Sequence, residues 1–213
     1  MINQYLFVMD YHQPLLADHI YHIVSRAIGN EKLFLNEENY KFFLNRFDKY
    51  ISPVADIFAY NLLPNHFHFL IEIKPYNHLL SLFKSKKISN TEYENWQPEF
   101  VMKQFSNFLN SYSKSFNKRF NRKGSLFIDY LRRVSIESEA QLFSTIFYVH
   151  KNAVHHGYCK EITDWKWSSY KTILSKAPTK LERERVLAWF GNEKEFIKFH
   201  SQAIFLKNAI VLE

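Results

Sequence analysis

The sequence predicts an α+β fold in which helices pack on an antiparallel sheet, and three observations support this prediction. Two apolar runs of alternating pattern lie within Val54–Lys74 and are joined by a short polar turn. Segments with helical spacing of apolar residues stand before and after these runs. Two further alternating segments flank the helices, so the predicted order is β-α-β-β-α-β-α, without an internal repeat.

The first strand is predicted at His19–Ala27, where the side chains alternate until Gly29-Asn30 breaks the pattern. The first helix is predicted to begin after Asn36, because asparagine caps helix N-termini and two glutamates follow it. It is predicted to end before Pro53. Its apolar residues recur at helical spacing, and they are Tyr40, Phe43, Leu44, Phe47 and Tyr50.

The two central strands are joined by Asn61–Asn65, and the second begins with a pair of histidines. Side chains alternate between the faces of a strand, so His66 and His68 point to one side while Phe67, Phe69 and the following isoleucines point to the core. Two imidazoles about 7 Å apart on a strand suit one divalent cation. The alternative is a pair that caps a sheet edge or bonds nearby carbonyls.

A basic cluster begins in the C-terminal half of the chain's longest predicted helix and continues into the next strand. That helix runs from about Pro98 to Phe120, after a polar helical stretch at Leu79–Lys87, and the fourth strand is predicted at Leu126–Ile136. The cations of the cluster are Lys114, Lys118, Arg119, Arg122, Lys123, Arg132 and Arg133. They predict a groove for a nucleic-acid phosphate backbone, with a solvated charged face as the alternative.

The last helix of the sheet domain is predicted to begin at Ser138-Glu139 and to end near Gly157. Tyr148 and Asn152 lie one turn apart on the face that its main apolar residues leave polar. If this helix packs beside the histidine strand, the amide oxygen of Asn152 is a possible third metal ligand and the Tyr148 hydroxyl lies near the same ion. A phenol beside a metal-bound phosphodiester is a capable nucleophile. Tyr112 lies in an apolar stripe and is interpreted as a core residue.

Composition narrows the class of protein. The net charge of +7 and the isoelectric point near 9.3 favour a polyanionic partner, and the aromatic content of 18% is available for stacking on unpaired bases. The single cysteine, Cys159, excludes internal disulfides and fits a reducing compartment. No signal peptide and no apolar span of membrane length is recognisable, so we expect a soluble, cytoplasmic protein.

The end of the chain is predicted to be helical and charged. We divide the sequence into residues 1–175, the sheet domain, and residues 176–213, a C-terminal helical appendage that either closes the domain or contacts DNA. His150 is predicted to lie on the surface, and His155 to share the Tyr148 face.

Taken in chain order, these motifs resemble the REP-associated tyrosine transposases (RAYT), which are bacterial single-tyrosine HUH transposases. The specific part is LPNHFHFL followed, after the right interval, by Tyr-x-x-x-Asn. The matching stretches cover nearly the whole chain, and they are HIYHIVSRAIGNEKLF, ENYKFFLNRF, AYNLLPNHFHFLIEI, YSKSFNKRFNRKGSLF, FYVHKNAVHHGY, DWKWSSY and RVLAWF.

The resemblance implies a ferredoxin-like HUH endonuclease fold and a hairpin DNA partner that carries a short guide sequence beside the hairpin. It implies that His66, His68 and Asn152 bind Mg²⁺ or Mn²⁺. It further implies that Tyr148 attacks a phosphate of single-stranded DNA, leaving a 5′-phosphotyrosine and a free 3′-hydroxyl, and that the protein is a monomer, although related insertion-sequence enzymes act as dimers.

One departure and two alternatives accompany this resemblance. The family usually has proline where Ala153 follows Asn152, which affects the expected geometry of the helix end. A protein that holds nucleic-acid hairpins without cutting them is the main alternative function. A metal hydrolase that activates water is the other, although the extra histidines and aspartates of such enzymes are not evident.

Overall fold

The computed structural model describes residues 10–85, 96–128 and 131–202. Its strands are β1 (Ile20–Arg26), β2 (Ala55–Leu63), β3 (His66–Ile73) and β4 (Arg132–Ser135). The helices of the described residues are α1 (Glu37–Tyr50), α2 (Tyr76–Ser85), α3 (Trp96–Arg119), α4 (Glu139–His155), α5 (Tyr170–Leu174), α6 (Arg183–Trp189) and α7 (Glu193–Ser201).

The four strands form one antiparallel sheet in the order β2-β3-β1-β4. With helices α1, α3 and α4 in their chain positions, this is the ferredoxin-like arrangement, and the predicted α+β fold is confirmed. β4 is shorter than the predicted strand at Leu126–Ile136. The earlier part of that segment forms only an isolated bridge, between Phe127 and Ala27, and residues 129 and 130 lie outside the described part.

One face of the sheet carries the main core. Phe67 and Phe69 of β3 are buried there against α1 and α3, and the ring of Phe69 stacks on Phe47 with centroids 3.8 Å apart. Tyr112 belongs to this core, as predicted, and its hydroxyl donates a hydrogen bond to the carbonyl of Leu33 at 2.5 Å. α2 also contributes, since Leu79 is buried, so this helix is less polar in its contacts than its sequence indicated.

The opposite face of the sheet is covered by α4, which is itself covered from outside by the last two helices. The rings of Phe143 and Phe190 lie 4.9 Å apart, and those of Phe147 and Phe199 lie 6.0 Å apart. Because neighbours pack on both sides, almost the whole circumference of α4 is buried.

The cover over α4 corrects one prediction. His150 was expected on the surface and is fully buried, because α7 lies over it and His200 approaches its ring, with His150 Nδ1 and His200 Nε2 3.0 Å apart. Residues 176–202 therefore pack on the sheet domain, while residues 203–213 lie outside the described part; the division of the chain after residue 175 stays a prediction. Among the described helices, none combines the length and apolar character needed to cross a bilayer.

Candidate active site

The two predicted histidines lie at the start of β3, on the sheet face that α4 covers. His68 is fully buried, and His66 is nearly so. The Nε2 atom of His66 lies 3.2 Å from Oδ1 of Asn152, which belongs to α4. Folding thus brings together the three residues predicted to bind a metal, although they are far apart in sequence.

The surroundings of His66 bear on its fit to a metal. Its Nδ1 lies 2.8 Å from Oδ1 of Asn65, an acceptor; if the ring proton is on Nδ1, the Nε2 lone pair faces the oxygen of Asn152. In that tautomer two acceptor atoms face each other at 3.2 Å, an arrangement that a bound cation would stabilise. Neighbouring ligands of an octahedral ion, each about 2.1 Å from it, are about 3.0 Å apart. The observed separation fits one edge of such a shell.

His68 is oriented by a residue that sequence analysis did not single out. Its Nδ1 lies 3.0 Å from Nε2 of His22, a fully buried residue of β1. If His68 donates from Nδ1, its Nε2 keeps a lone pair; this atom is buried and has no hydrogen-bond partner among the described residues. A metal-binding histidine commonly donates its other ring nitrogen to a neighbour. His22 therefore fits the role of orienting His68.

Burial keeps the two histidines of β3 neutral. It lowers the pKa of His66 to about 4, with smaller contributions from the charges of His156 and Arg26. It also lowers the pKa of His68 well below the usual range, with His22 as the next cause. Neutral imidazole is the form that binds metal ions, so both side chains are ready to do so at physiological pH.

The donor set of this cluster defines the kind of metal site. In residues 10–85, 96–128 and 131–202, no group of three or more histidine, cysteine, aspartate or glutamate side chains is arranged to hold an ion. A cation here would take two nitrogens from His66 and His68 and an amide oxygen from Asn152. Amide oxygen suits Mg²⁺ and Mn²⁺, and imidazole suits the later divalent metals, so the residues fit a hexacoordinate ion completed by water or substrate.

Tyr148 lies beside the histidines, one helical turn before Asn152. Its ring meets that of His68 edge-on with centroids 5.5 Å apart, and that of His22 at 5.9 Å. The face shared by Tyr148 and Asn152 therefore turns towards the sheet. Only 2% of Tyr148 is exposed, so its hydroxyl is not open to solvent in this conformation.

The surface opening of the cluster is at His66. A pocket of about 140 Å³ there is lined by Val24, Arg26, Asn65, His66, His156 and Tyr158. Sequence analysis did not single out Arg26, His156 or Tyr158. Arg26 reaches the pocket because the strand register places it directly opposite His66. His156 and Tyr158 reach it through the turn after α4.

The seven predicted DNA-binding cations are not equally available. Lys114, Lys118, Arg119 and Lys123 are exposed. Arg122 is held by Glu31 and by Oδ1 of Asn117. These contacts give the guanidinium of Arg122 a structural role within the chain that does not depend on DNA.

The two strand arginines of this set also have partners within the chain. The guanidinium of Arg133 donates to the carbonyls of His12, Gln13 and Leu131. Arg132 lies over the ring of Tyr11, 5.7 Å from its centroid. Binding of DNA by any of the seven stays a prediction.

The loop after α3 lies at the same end of the sheet as His66. The N–H of Ala27 donates to the carbonyl of Asn65, the neighbour of His66, and the N–H of Ile28 donates to the carbonyl of Leu126. Asn65 and Leu126 are thus joined through two adjacent residues of the chain. The basic end of α3 and the histidine cluster therefore belong to one end of the fold.

Comparison with known proteins finds a similar solved structure. No family model and no curated protein matches this chain. A solved structure of a REP-associated tyrosine transposase bound to a REP hairpin is similar, with a TM-score of 0.54 and 15% identity over 79% of this chain and 88% of that one. The likeness establishes a shared fold with a protein of the kind that the sequence motifs resemble.

Proposed function

We propose that this chain is a metal-dependent single-tyrosine transposase of the REP-associated kind, which nicks single-stranded DNA beside a hairpin and transfers the cut strand. One observation carries the proposal. Tyr148 packs against His68 while Asn152 meets His66 at 3.2 Å, so a nucleophile and three possible metal ligands share one cluster. The shared fold with a REP-associated tyrosine transposase supports it.

Each residue of the cluster has a defined part in the proposed reaction. His66, His68 and Asn152 would hold Mg²⁺ or Mn²⁺, which when bound neutralises charge on the phosphate oxygens. The phenol oxygen of Tyr148 forms a bond to phosphorus as the bond from phosphorus to the 3′ oxygen breaks. The proton lost by Tyr148 balances the one gained by the leaving 3′-hydroxyl, and a 5′-phosphotyrosine results. Attack by a 3′-hydroxyl on this intermediate completes strand transfer and restores Tyr148.

The burial of Tyr148 adds a requirement to this mechanism. Because 2% of the residue is exposed, a phosphate reaches its hydroxyl only after the side chain rotates or α4 moves. The same observation favours a second candidate function, in which the protein binds hairpins and does not cut them.

Hairpin DNA is the proposed partner, as it is for the structural neighbour. The exposed cations Lys114, Lys118, Arg119 and Lys123 would contact stem phosphates. A groove of about 400 Å³, lined by Lys114, Asn117 and residues 124–128, runs beside them and offers hydroxyl and amide groups. Because α7 of the same chain covers α4, we propose that the protein acts as a monomer.

The test is covalent trapping. Hairpin oligonucleotides from the repeats that flank the gene, each with single-stranded flanks, are incubated with the protein and Mn²⁺ and resolved on a denaturing gel. We expect a shifted protein–DNA band for the wild type and for Tyr112→Phe, and none for Tyr148→Phe or with chelator. Tight binding of a hairpin without any adduct, unchanged in Tyr148→Phe, would establish the hairpin-binding function instead.

A further inference from the structure

We propose that Arg26, His156 and Tyr158 form a subsite for the unpaired nucleotide next to the reacting phosphate, with Arg26 binding a phosphate and Tyr158 stacking on the base. The inference rests on the proposed function, because it assigns a surface to the single-stranded part of the substrate.

Arg26 supplies a cation at the mouth of the cluster. It is the last residue of β1, directly opposite His66 on β3, and opposed side chains of antiparallel strands lie on the same face. Arg26 is exposed, and in the described part of the chain its guanidinium has neither a carboxylate nor a carbonyl partner. Arg122 differs from Arg26, because its guanidinium is paired with the carboxylate of Glu31. Arg26 is thus available to a phosphate.

The backbone fixes Tyr158 while its ring stays in solvent. After α4 the N–H of Tyr158 donates to the carbonyl of Ala153, and that of Gly157 to the carbonyl of Val154, which is a Schellman motif. Gly157 adopts the left-handed φ of +71° that this turn requires. Capping therefore orders the position, yet 42% of Tyr158 is exposed. An ordered, exposed aromatic ring beside a catalytic cluster suits stacking on a base.

A row of rings leads away from the histidine cluster. The ring of His156 lies 4.9 Å from that of His66 and 6.4 Å from that of Tyr158, and Tyr158 lies 5.7 Å from Trp165. Trp165 is anchored by its indole N–H, which donates to the carbonyl of Leu62. The row continues the pocket at His66, whose 140 Å³ equals roughly four or five water molecules. This volume suits one phosphate group, and the rings beyond it suit the attached base.

The test uses a short fluorescein-labelled oligothymidylate, which forms no hairpin, and measures binding to the full chain by anisotropy with metal chelated. We expect Tyr158→Ala to weaken binding about 5- to 150-fold and Tyr158→Phe to leave it close to wild type, because stacking needs the ring. Tyr76→Ala is the matched control, since Tyr76 is similarly exposed, at 47% against 42%, but follows the opposite end of β3. Its affinity should equal that of the wild type.

Arg26 is tested by the salt dependence of the same binding. Loss of one phosphate contact in Arg26→Gln should reduce the slope of log affinity against log salt by about 0.7, and Arg26→Lys should restore it. Wild-type affinity in Tyr158→Ala together with a wild-type slope in Arg26→Gln would overturn the subsite. If these variants lose binding while the wild type never forms a Tyr148 adduct, the subsite stands and the transposase function fails. If the wild type forms the Tyr148 adduct while the variants bind as the wild type does, the transposase function stands and the subsite fails.

Discussion

We expect the buried pair His150–His200 to make the protein sensitive to mild acid, and the substitution His200→Phe isolates this effect. Nδ1 of His200 donates to the carbonyl of Phe196 at 2.8 Å, and its Nε2 accepts from Nδ1 of His150. Nε2 of His150 in turn accepts from the hydroxyl of Ser169 at 2.8 Å. When both histidines are neutral, each of the four ring nitrogens has a hydrogen-bond partner of the matching kind. A further proton on Nε2 of His200 would face the N–H of His150, which is a donor.

The size of the effect follows from the pKa of His200, which burial lowers from 6.5 to about 4. The folded pKa is depressed, so between these values the unfolded chain binds the proton and the folded chain does not. The stability is fully present above pH 6.5 and falls as the pH drops. The loss from this residue is about 2 kcal/mol at about pH 5 and about 3 kcal/mol below pH 4. Burial also lowers the pKa of His150, with the same sign.

His200→Phe removes the titrating group and leaves the N–H of His150 without its acceptor. Near neutral pH we expect the variant to be less stable than the wild type by about 1–3 kcal/mol. At about pH 5 this difference should shrink by about 2 kcal/mol, because only the wild type carries the proton penalty at position 200.

The assay is urea unfolding followed by tryptophan fluorescence at both pH values, with His19→Gln as the control on an exposed histidine. The control should show the wild-type pH dependence. A stability difference between His200→Phe and the wild type that is the same at both pH values would refute the reasoning.

Three further predictions concern the candidate site. Because burial lowers the pKa of His66 to about 4, Mn²⁺ binding should persist well below the usual histidine pKa of 6.5 and fail as the pH approaches 4. Calorimetry at several pH values measures this binding. A loss of Mn²⁺ binding already near pH 6 would contradict the burial argument. His22→Phe should weaken Mn²⁺ binding about 10- to 100-fold. His22→Gln keeps an acceptor for His68 and should therefore lose less affinity for Mn²⁺. Equal affinities of the wild type and both variants would exclude an orienting role for His22. Tyr112→Phe should lower the free energy of unfolding by about 1 kcal/mol, measured by heat or urea, because the hydrogen bond to the Leu33 carbonyl is lost. The variant should still form the covalent adduct with DNA. A folded variant that forms no adduct would point to Tyr112 as the nucleophile.

Sequence patterns sufficed for the elements that have regular periods. The alternation in β3 predicted which residues enter the core and which lie on the opposite face, and the helical stripe of α3 identified Tyr112 as a core residue. The Tyr-x-x-x-Asn spacing likewise predicted that Tyr148 and Asn152 share a face. These predictions depend on neighbours within a few residues, which the periods of strands and helices determine.

What the sequence did not reveal depends on contacts between distant segments. His22 meets His68 only because β1 lies next to β3 in the sheet. The burial of His150 depends on α7, whose His200 follows it by 50 residues, and Arg122 is held by Glu31, which precedes it by 91 residues. Local periodicity contains no information on such pairings.

In the proposed mechanism, the packing around α4 decides how Tyr148 reaches a substrate. On its inner side, Nδ2 of Asn61 donates to the carbonyl of Val149 at 2.8 Å, and on its outer side His150 bonds to His200. Displacing the helix would break both buried contacts, at about 1 kcal/mol or more each, and would expose the aromatic cluster around Phe147. Rotating the Tyr148 side chain keeps these backbone and core contacts and gives up its ring contacts with His68 and His22. We therefore expect Tyr148, the proposed nucleophile, to be exposed by rotation within a fixed α4, which leaves Asn152 in place beside His66.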